Sequence, residues 1–530
     1  MPGLSRSRDA WAVATLAAAT SVLAFLYCLQ HHLILLYGDA EGHINIARRV
    51  FDSRTPGPLQ LGTVWLPLPH LLMMPFLVSD WAWRTAVGGS IPSMVAYVVA
   101  AVGIFRLARG FGGKASAWFA VAVFAGNPSL IYLQTTAMTE PLYLALFVWS
   151  VVHLVEFERS VDRSDWISAR GSLFWCAISL AGCTMTRYDG WIAMAVAVII
   201  VLVVALRKRN TPESRLLWLP ILRFLLICGA GPLLWFGYNA AVYRNPLEFA
   251  NGPYSAKAIE RRIVQPPHPG TGDLWVSELY FVRAAEMNLA AVPATGKLWL
   301  LLAVLGTIVA LVRRKSWLLL MLWVPFPFYA FSVAYGGVPI FVPDWWPFGL
   351  YNLRYGLQAL PAVAVFGAAV FDLVLTAART ARQRQFLAGA VVALWLWAAL
   401  QAAHRPASFL EADHNMKGRV ELQEQLAVEL RRLPAQSSIL MALRDFPGAP
   451  QRAGVPLRRL INENDQRIWL RPADTKGLWE RALASPSSYA DYAVGFAGDR
   501  VDAAAKQNHL QAMFSLEVAG QPRATIYRAR

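Results

Sequence analysis

Charge is what this sequence has least of. Only 15% of its 530 residues are Asp, Glu, Lys or Arg, where an ordinary soluble protein carries about 25%. With 56% hydrophobic residues and a mean hydropathy of +0.40, that scarcity excludes a water-soluble fold of this size. Intrinsic disorder and collagen fall with it. Cysteine is scarce too. Cys28, Cys176, Cys183 and Cys228 all lie in apolar stretches, so a disulfide scaffold is excluded and cysteine says little about compartment. No internal repeat is present, which weighs against a transporter built from repeated halves. No Gly-rich phosphate loop, metal-ligand spacing or G-x-S-x-G motif occurs in the tail, and no nucleotide site is visible.

What is present is apolar length. A helix needs about 20 apolar residues to cross a bilayer, and about eleven stretches qualify: 10–36, 86–105, 115–137, 140–157, 171–186, 190–206, 216–238, 297–312, 316–334, 354–378 and 386–403. The first follows Arg6 and Arg8 but is too long for a signal-peptide core, so it reads as a retained span. Stretch 66–79 is apolar but holds Pro67, Pro69 and Pro75, and reads as re-entrant or interfacial. The net charge of +16 then points to cytoplasmic loops, not to nucleic acid. With the N-terminus inside, five basic groups fall on the cytoplasmic side: Arg106/Arg109/Lys114, Arg159/Arg163/Arg170, Arg207/Lys208/Arg209/Arg215, Arg313/Arg314/Lys315 and Arg379/Arg382/Arg384. An odd number of spans places residues 405–530 outside. Charged residues make up about an eighth of residues 1–404 and about a quarter of 405–530, the soluble level. The expected architecture is mainly α: a polytopic membrane bundle over 1–404, with outer loops 37–85 and 239–296, and a small extracytoplasmic α/β domain over 405–530. In that tail, strands are predicted at Ser438–Leu443, Leu457–Ile461, Tyr492–Phe496, Ser515–Val518 and Ala524–Arg528. Helices are predicted at Arg419–Arg432, Thr475–Leu483 and Val501–Gln511.

Ionisable residues collect where the apolar runs end on the outer side. The first outer loop opens Tyr37-Gly38-Asp39-Ala40-Glu41-Gly42-His43, followed by Ile44-Asn45-Ile46-Ala47-Arg48-Arg49. Its apolar spacing fits a short interfacial helix. Asp39 reads either as its N-cap or as a general base for a hydroxyl at the water–lipid boundary. Thr139-Glu140-Pro141 starts one span, where proline is at home. Arg187-Tyr188-Asp189 fills a very short outer turn; such charges are costly at membrane depth unless paired or functional. Arg244 and Lys257 lie in the long loop, as a headgroup-facing belt or as ligands for an anion. Tyr351-Asn352-Leu353-Arg354-Tyr355 opens a late span, with Leu360-Pro361 after it.

Asp39 with the Ile46-Ala47-Arg48 run resembles the first-loop acidic motif of the GT-C membrane glycosyltransferases, among which protein O-mannosyltransferases and lipid A aminoarabinose transferases are most alike. The usual acidic pair is here Asp39-Ala40, with Glu41 one residue on, so Asp39 and Glu41 are both candidates for the catalytic carboxylate, Asp39 favoured. Leu61 to His70 sits where those families have another Pro-rich segment. Arg354-Tyr355…Leu360-Pro361 resembles the entry to a late GT-C helix whose arginine holds a lipid phosphate. The resemblance implies transfer of a sugar, with inversion, from a polyprenyl-phosphate-linked donor to a glycan, lipid or protein acceptor on the outer face of the cell's inner or plasma membrane. It implies Arg354, with Arg187, Arg244 and Lys257, as phosphate-binding residues, and His43, Glu140, Tyr188, Asp189, Asn352 and Tyr355 as substrate-binding residues. Breaking the sugar–phosphate bond leaves charge that a fixed guanidinium stabilises. His31, His32, His43 and His70 match no standard metal spacing; no cofactor is implied with certainty, and because some GT-C relatives use a divalent metal, that possibility stays open. The rival from another class is a transporter or flippase of lipid-linked sugars, which places its ionisable residues near the midplane of the spans.

Overall fold

The structure is a computed structural model that describes residues 2–208, 215–263, 267–313, 315–465 and 474–530. About 70% of it is helical. Helices α1 (Pro2–Gln30), α2 (Gly38–Arg49), α3 (Leu68–Met73), α4 (Asp80–Arg84), α5 (Val87–Arg109), α6 (Lys114–Ala125), α7 (Pro128–Leu133), α8 (Glu140–Asp162) and α9 (Trp166–Thr184) form the first half. The second half follows with α10 (Asp189–Arg207), α11 (Arg215–Tyr243), α12 (Glu248–Asn251), α13 (Ala256–Ile263), α14 (Leu274–Leu289), α15 (Pro293–Val312), α16 (Pro325–Tyr335), α17 (Leu360–Ala377), α18 (Ala381–Ala403) and α19 (Ala407–Arg432).

Among the described residues, nine helical stretches are long and apolar enough to cross a membrane, the last running Ala381–Arg432 through a short break. This is an integral membrane protein of mainly α architecture. Two of the eleven expected spans differ. Stretch 115–137 is interrupted at Gly126-Asn127-Pro128: α6 stops, and Asn127 caps α7 by accepting the Leu130 N–H at 3.0 Å, with Pro128 at the first helical position, where its missing donor costs nothing. Stretch 171–186 falls on α9 up to Thr184, and α9 is not among the nine; α9 starts at Trp166, capped by Asp165, and Arg170 dilutes its hydropathy. The Pro-rich stretch folds as α3 followed by a 3-10 turn, Met74–Val78, too short to span. Arg209 and Arg314, counted above among the basic loop residues, lie outside the described residues.

The C-terminal part holds α20 (Gly448–Ala453), α21 (Leu478–Ala484), α22 (Pro486–Tyr489) and α23 (Arg500–Gln507) around a five-stranded sheet. Its strands are β1 (Ile439–Met441), β2 (Leu460–Ile461), β3 (Tyr492–Phe496), β4 (Gln511–Leu516) and β5 (Ala524–Arg528), in the order β2-β1-β3-β5-β4. β1 is parallel to β2 and β3, while β5 is antiparallel to β3 and β4. All five expected strands are found, two at the expected bounds. The helix expected at Arg419–Arg432 is longer, because α19 begins at Ala407. The tail is fastened to the first loop by buried polar bonds. Asn45 donates to Gln451 at 2.8 Å, Gln451 donates to the Trp83 carbonyl at 2.8 Å, and the Trp83 indole N–H donates to Asn45 at 3.1 Å. Arg452 pairs with Glu41.

Three features position the site. α2 puts Asp39 in its first turn. α8 and α10 begin at Glu140 and Asp189. A 3-10 turn, Leu353–Ala359, precedes α17 and carries Arg354. Asn352 enters that turn in the left-handed region at φ 57°, a conformation asparagine tolerates. Gly356 lets the turn lie directly against the backbone of Ala284 in α14, leaving no room for a Cβ. Gly356→Ala is therefore expected to destabilise the protein by about 1–3 kcal/mol, read as a lower thermal midpoint in detergent. Gly367→Ala, whose added Cβ would meet only a Trp299 ring atom at 3.9 Å, is expected to leave the midpoint unchanged.

Candidate active site

The first turn of α2 turns Asp39 toward Arg354, not back onto its own helix. The helix starts at Gly38, Tyr37 holds the N-cap position, and no side chain caps it, so the N-cap expectation for Asp39 is corrected. Instead its carboxylate accepts from Arg354 Nη2 at 2.5 Å. Arg354 is almost wholly buried and places its other two arms on separate carboxylates: Nε on Glu140 at 3.2 Å and Nη1 on Glu411 at 2.5 Å. Glu411 also accepts the backbone N–H groups of Asn352 and Arg354 at 2.9 and 3.0 Å, which fixes the 3-10 turn. The Tyr37 hydroxyl donates to the Ser408 carbonyl at 2.6 Å, tying α19 to the start of α2.

Arg187 extends the network. It pairs with Asp189 at 3.2 Å and with Glu140 at 3.0 Å, and donates to the Tyr329 hydroxyl at 2.9 Å. Tyr329 in turn donates to Asp189 at 3.1 Å. The expected Arg187–Asp189 pairing is present, within a larger set. Both guanidiniums lie beside the Tyr355 ring, Arg354 at 5.0 Å and Arg187 at 4.8 Å. One oxygen each of Glu140 and Asp189 is buried without a hydrogen-bond partner among the described residues. A buried guanidinium is tolerated only when paired, and these carboxylates supply the partners.

The network lines a cavity of about 130 Å³ that also includes His43, Trp65, Tyr188 and Tyr329. Asp39, Val64 and Trp65 additionally line a second cavity, of about 700 Å³, walled by Arg49, Tyr243 and Tyr254 and by tail residues including Arg419, Arg444, Asp465 and Lys476. Asp39 thus sits where the two cavities meet. Its side chain is 41% exposed, while Glu140 and Glu411 are 1% and 2% exposed.

Of the sequence candidates, the structure brings together Asp39, His43, Glu140, Arg187, Tyr188, Asp189, Arg354 and Tyr355 around the smaller cavity. Asn352 supports from behind, its amide donating to the Pro339 carbonyl at 2.8 Å. Glu41 lies elsewhere: it is fully buried and held by Arg452 and Gln423. Arg244, in the left-handed region just past α11, and Lys257, whose backbone lies against Gly337, line neither cavity. Three residues escaped the sequence reading. Glu411 lies in the charged tail among other acids, Tyr329 in an apolar span, and Trp65 in the Pro-rich stretch Leu61 to His70, where nothing set it apart from its neighbours. Among the described residues no three His, Cys, Asp or Glu side chains gather as metal ligands.

No protein-family profile matches the chain, and no curated protein sequence matches it. Solved structures do match. ArnT from Cupriavidus metallidurans superposes with a TM-score of 0.60 at 13% identity, over 99% of this chain and 98% of that one. The same protein bound to undecaprenyl phosphate gives 0.58 at 14%, over 97% and 98%. The oligosaccharyltransferase of Archaeoglobus fulgidus gives 0.48 at 13%, over 92% and 69%. This chain shares its fold with ArnT along nearly the whole length of both, a GT-C-like fold.

His43 is pushed down to about 3 by burial, with the guanidiniums of Arg354 and Arg187 adding to the effect. The sign follows. An unfolded chain's histidine takes a proton near pH 6.5, while the folded one refuses it. Below that pH the unfolded state binds more protons, so stability falls as pH drops from about 6.5 toward 3. Above it this histidine contributes nothing. Replacement by His43→Gln is expected to flatten the thermal midpoint's fall with acidity in this window, measured on both proteins in detergent.

Proposed function

We propose that this protein transfers a sugar, with inversion, from a polyprenyl-phosphate-linked donor to an acceptor hydroxyl on the extracytoplasmic face. In this reading the N-terminus is cytoplasmic and residues 405–530 form the extracytoplasmic domain. The fold is that of ArnT, for which a complex with undecaprenyl phosphate is known. The observation that carries the reading is the contact between Asp39 and Arg354 at the junction of the two cavities. Donor and acceptor approach that junction from different sides.

Arg354 and Arg187 face the donor phosphate in the smaller cavity, with Tyr355 and Tyr188 shaping it. Glu140 and Asp189 orient the two guanidiniums, and their unpartnered oxygens face the sugar. Of Arg354's three carboxylate partners, Asp39 alone is open. A phosphate entering on that side competes with Asp39 for Nη2. The displaced carboxylate then takes the proton of the acceptor hydroxyl as the new carbon–oxygen bond forms and the sugar–phosphate bond breaks. The phosphate oxygen keeps the bond's electrons, and the fixed guanidiniums stabilise that charge as it develops. The acceptor, a glycan, lipid or protein, reaches Asp39 through the wider cavity, where Trp65, Tyr243 and Tyr254 offer aromatic faces beside tail residues.

A transporter or flippase would carry its ionisable residues near the midplane of the spans. Here Glu140 and Asp189 are the first residues of their helices and Arg354 precedes α17, which favours chemistry over passage. Purified protein in proteoliposomes loaded with labelled polyprenyl-phosphate sugars is expected to transfer label to an added acceptor pool. Asp39→Asn is expected to reduce the rate by about 10²-fold or more, and Arg354→Lys to weaken it through loss of forked pairing. Full transfer by Asp39→Asn removes Asp39 as the base; movement of donor across the bilayer without transfer selects the transporter.

A further inference from the structure

Behind His43 lies a second histidine that the transfer reading leaves without a task. His43 sits one turn after Asp39 on α2, the spacing that places two side chains on one helix face. Its Nδ1 is 2.9 Å from Nε2 of His70 on α3, and Trp65 packs on its ring at 4.3 Å between centroids. His70 is wholly buried, and its Nδ1 has no hydrogen-bond partner among the described residues. His43 lines the smaller cavity, and with Nδ1 committed to His70, Nε2 is the nitrogen left for the cavity.

We propose that His70 is a positioning residue that holds His43 in the form bearing its hydrogen on Nε2, so that a neutral N–H points into the cavity toward the donor phosphate. The last clause rests on the transfer reading; the tautomer does not.

The guanidiniums of Arg354 and Arg187 line the same cavity as His43 and disfavour a proton on it; among the described residues its ring bonds to His70 and to no carboxylate, so both rings are neutral and each carries one hydrogen. If His43 donated from Nδ1, the hydrogen of His70 would have to sit on its own Nδ1, buried with nothing to accept it. If His70 donates from Nε2, its Nδ1 holds only an unfilled lone pair, and the hydrogen of His43 moves to Nε2. A buried N–H without an acceptor is the rarer and costlier defect, so the second arrangement prevails. A ring fixed this way cannot act as a base at Nε2, which leaves that task to Asp39. It can donate to a phosphate oxygen without adding a third positive charge beside the two arginines. That bond strengthens as the oxygen gains charge in the transition state.

The tautomer is read directly from protein labelled with 15N-histidine in nanodiscs, where nitrogen shifts separate hydrogen-bearing from bare ring nitrogens. The His43 signals are identified by their loss in His43→Gln. A hydrogen-bearing Nε2 with a bare Nδ1 is expected, and His70→Leu is expected to mix the two forms. His70→Gln, whose amide N–H can stand in for Nε2–H, is expected to restore the single form and guards against a variant that merely misfolds. A bare Nε2 in the unmodified protein, or no change in His70→Leu, overturns the proposal. None of this requires turnover, so it stands apart from the transfer reading. In the transfer assay, His70→Leu is expected to lower kcat about tenfold with KM little changed, and His70→Gln to recover most of it. An unchanged kcat in His70→Leu overturns the phosphate-facing role.

Discussion

A guanidinium taken out of water must find its counter-charges inside the protein, and Arg354 finds three. Asp39, Glu140 and Glu411 each meet a different nitrogen of the same fork. They come from α2, from the first residue of α8 and from α19, so one buried cation ties the first loop, the membrane bundle and the tail to a single point. Removing a partner from such a buried set leaves uncompensated charge, which is far costlier than losing a surface pair. The turn carrying Arg354 depends on the same constraint, because Glu411 also accepts two of its backbone N–H groups.

The three carboxylates are unequal, and the inequality is what makes the network usable. Glu140 and Glu411 are sealed in and hold the guanidinium at a fixed place. Asp39 faces open space on two sides. A rigid cation with one exchangeable partner is preorganised to receive an anion, since the protein need not rearrange to present it. Tyr355 offers a ring that attracts both Arg354 and Arg187. In the tautomer proposed for it, His43 adds a donor aimed at the cavity without adding charge.

The tail is bolted down, not tethered. Glu41, Asn45 and Trp83 of the first loop engage Gln423, Gln451 and Arg452 through buried bonds. That attachment gives the wider cavity a wall made of tail residues, and it puts Glu411 within reach of Arg354. A segment that composition marks as soluble therefore supplies a residue to the centre of the site.

Much was legible in the residues alone. Long apolar runs with few charges dictate a membrane bundle, since uncharged length is what a bilayer admits. An ionisable residue at the end of such a run is costly enough to mark itself, which singles out Asp39, Glu140, Arg187, Asp189 and Arg354 as candidates; the roles of Asp39 and Arg354 came from the resemblance. The choice between Asp39 and Glu41 needed the helix: two residues apart on α2 they point about 200° away from each other, one to the cavity and one to Arg452. Arg244 and Lys257 carry the right charge, but charge does not say where a long loop lies. Glu411 is one acid among many in a polar tail, and Tyr329 one aromatic in an apolar span. Only the packing of distant segments distinguishes them, because a partner several hundred residues away leaves no local pattern in the chain.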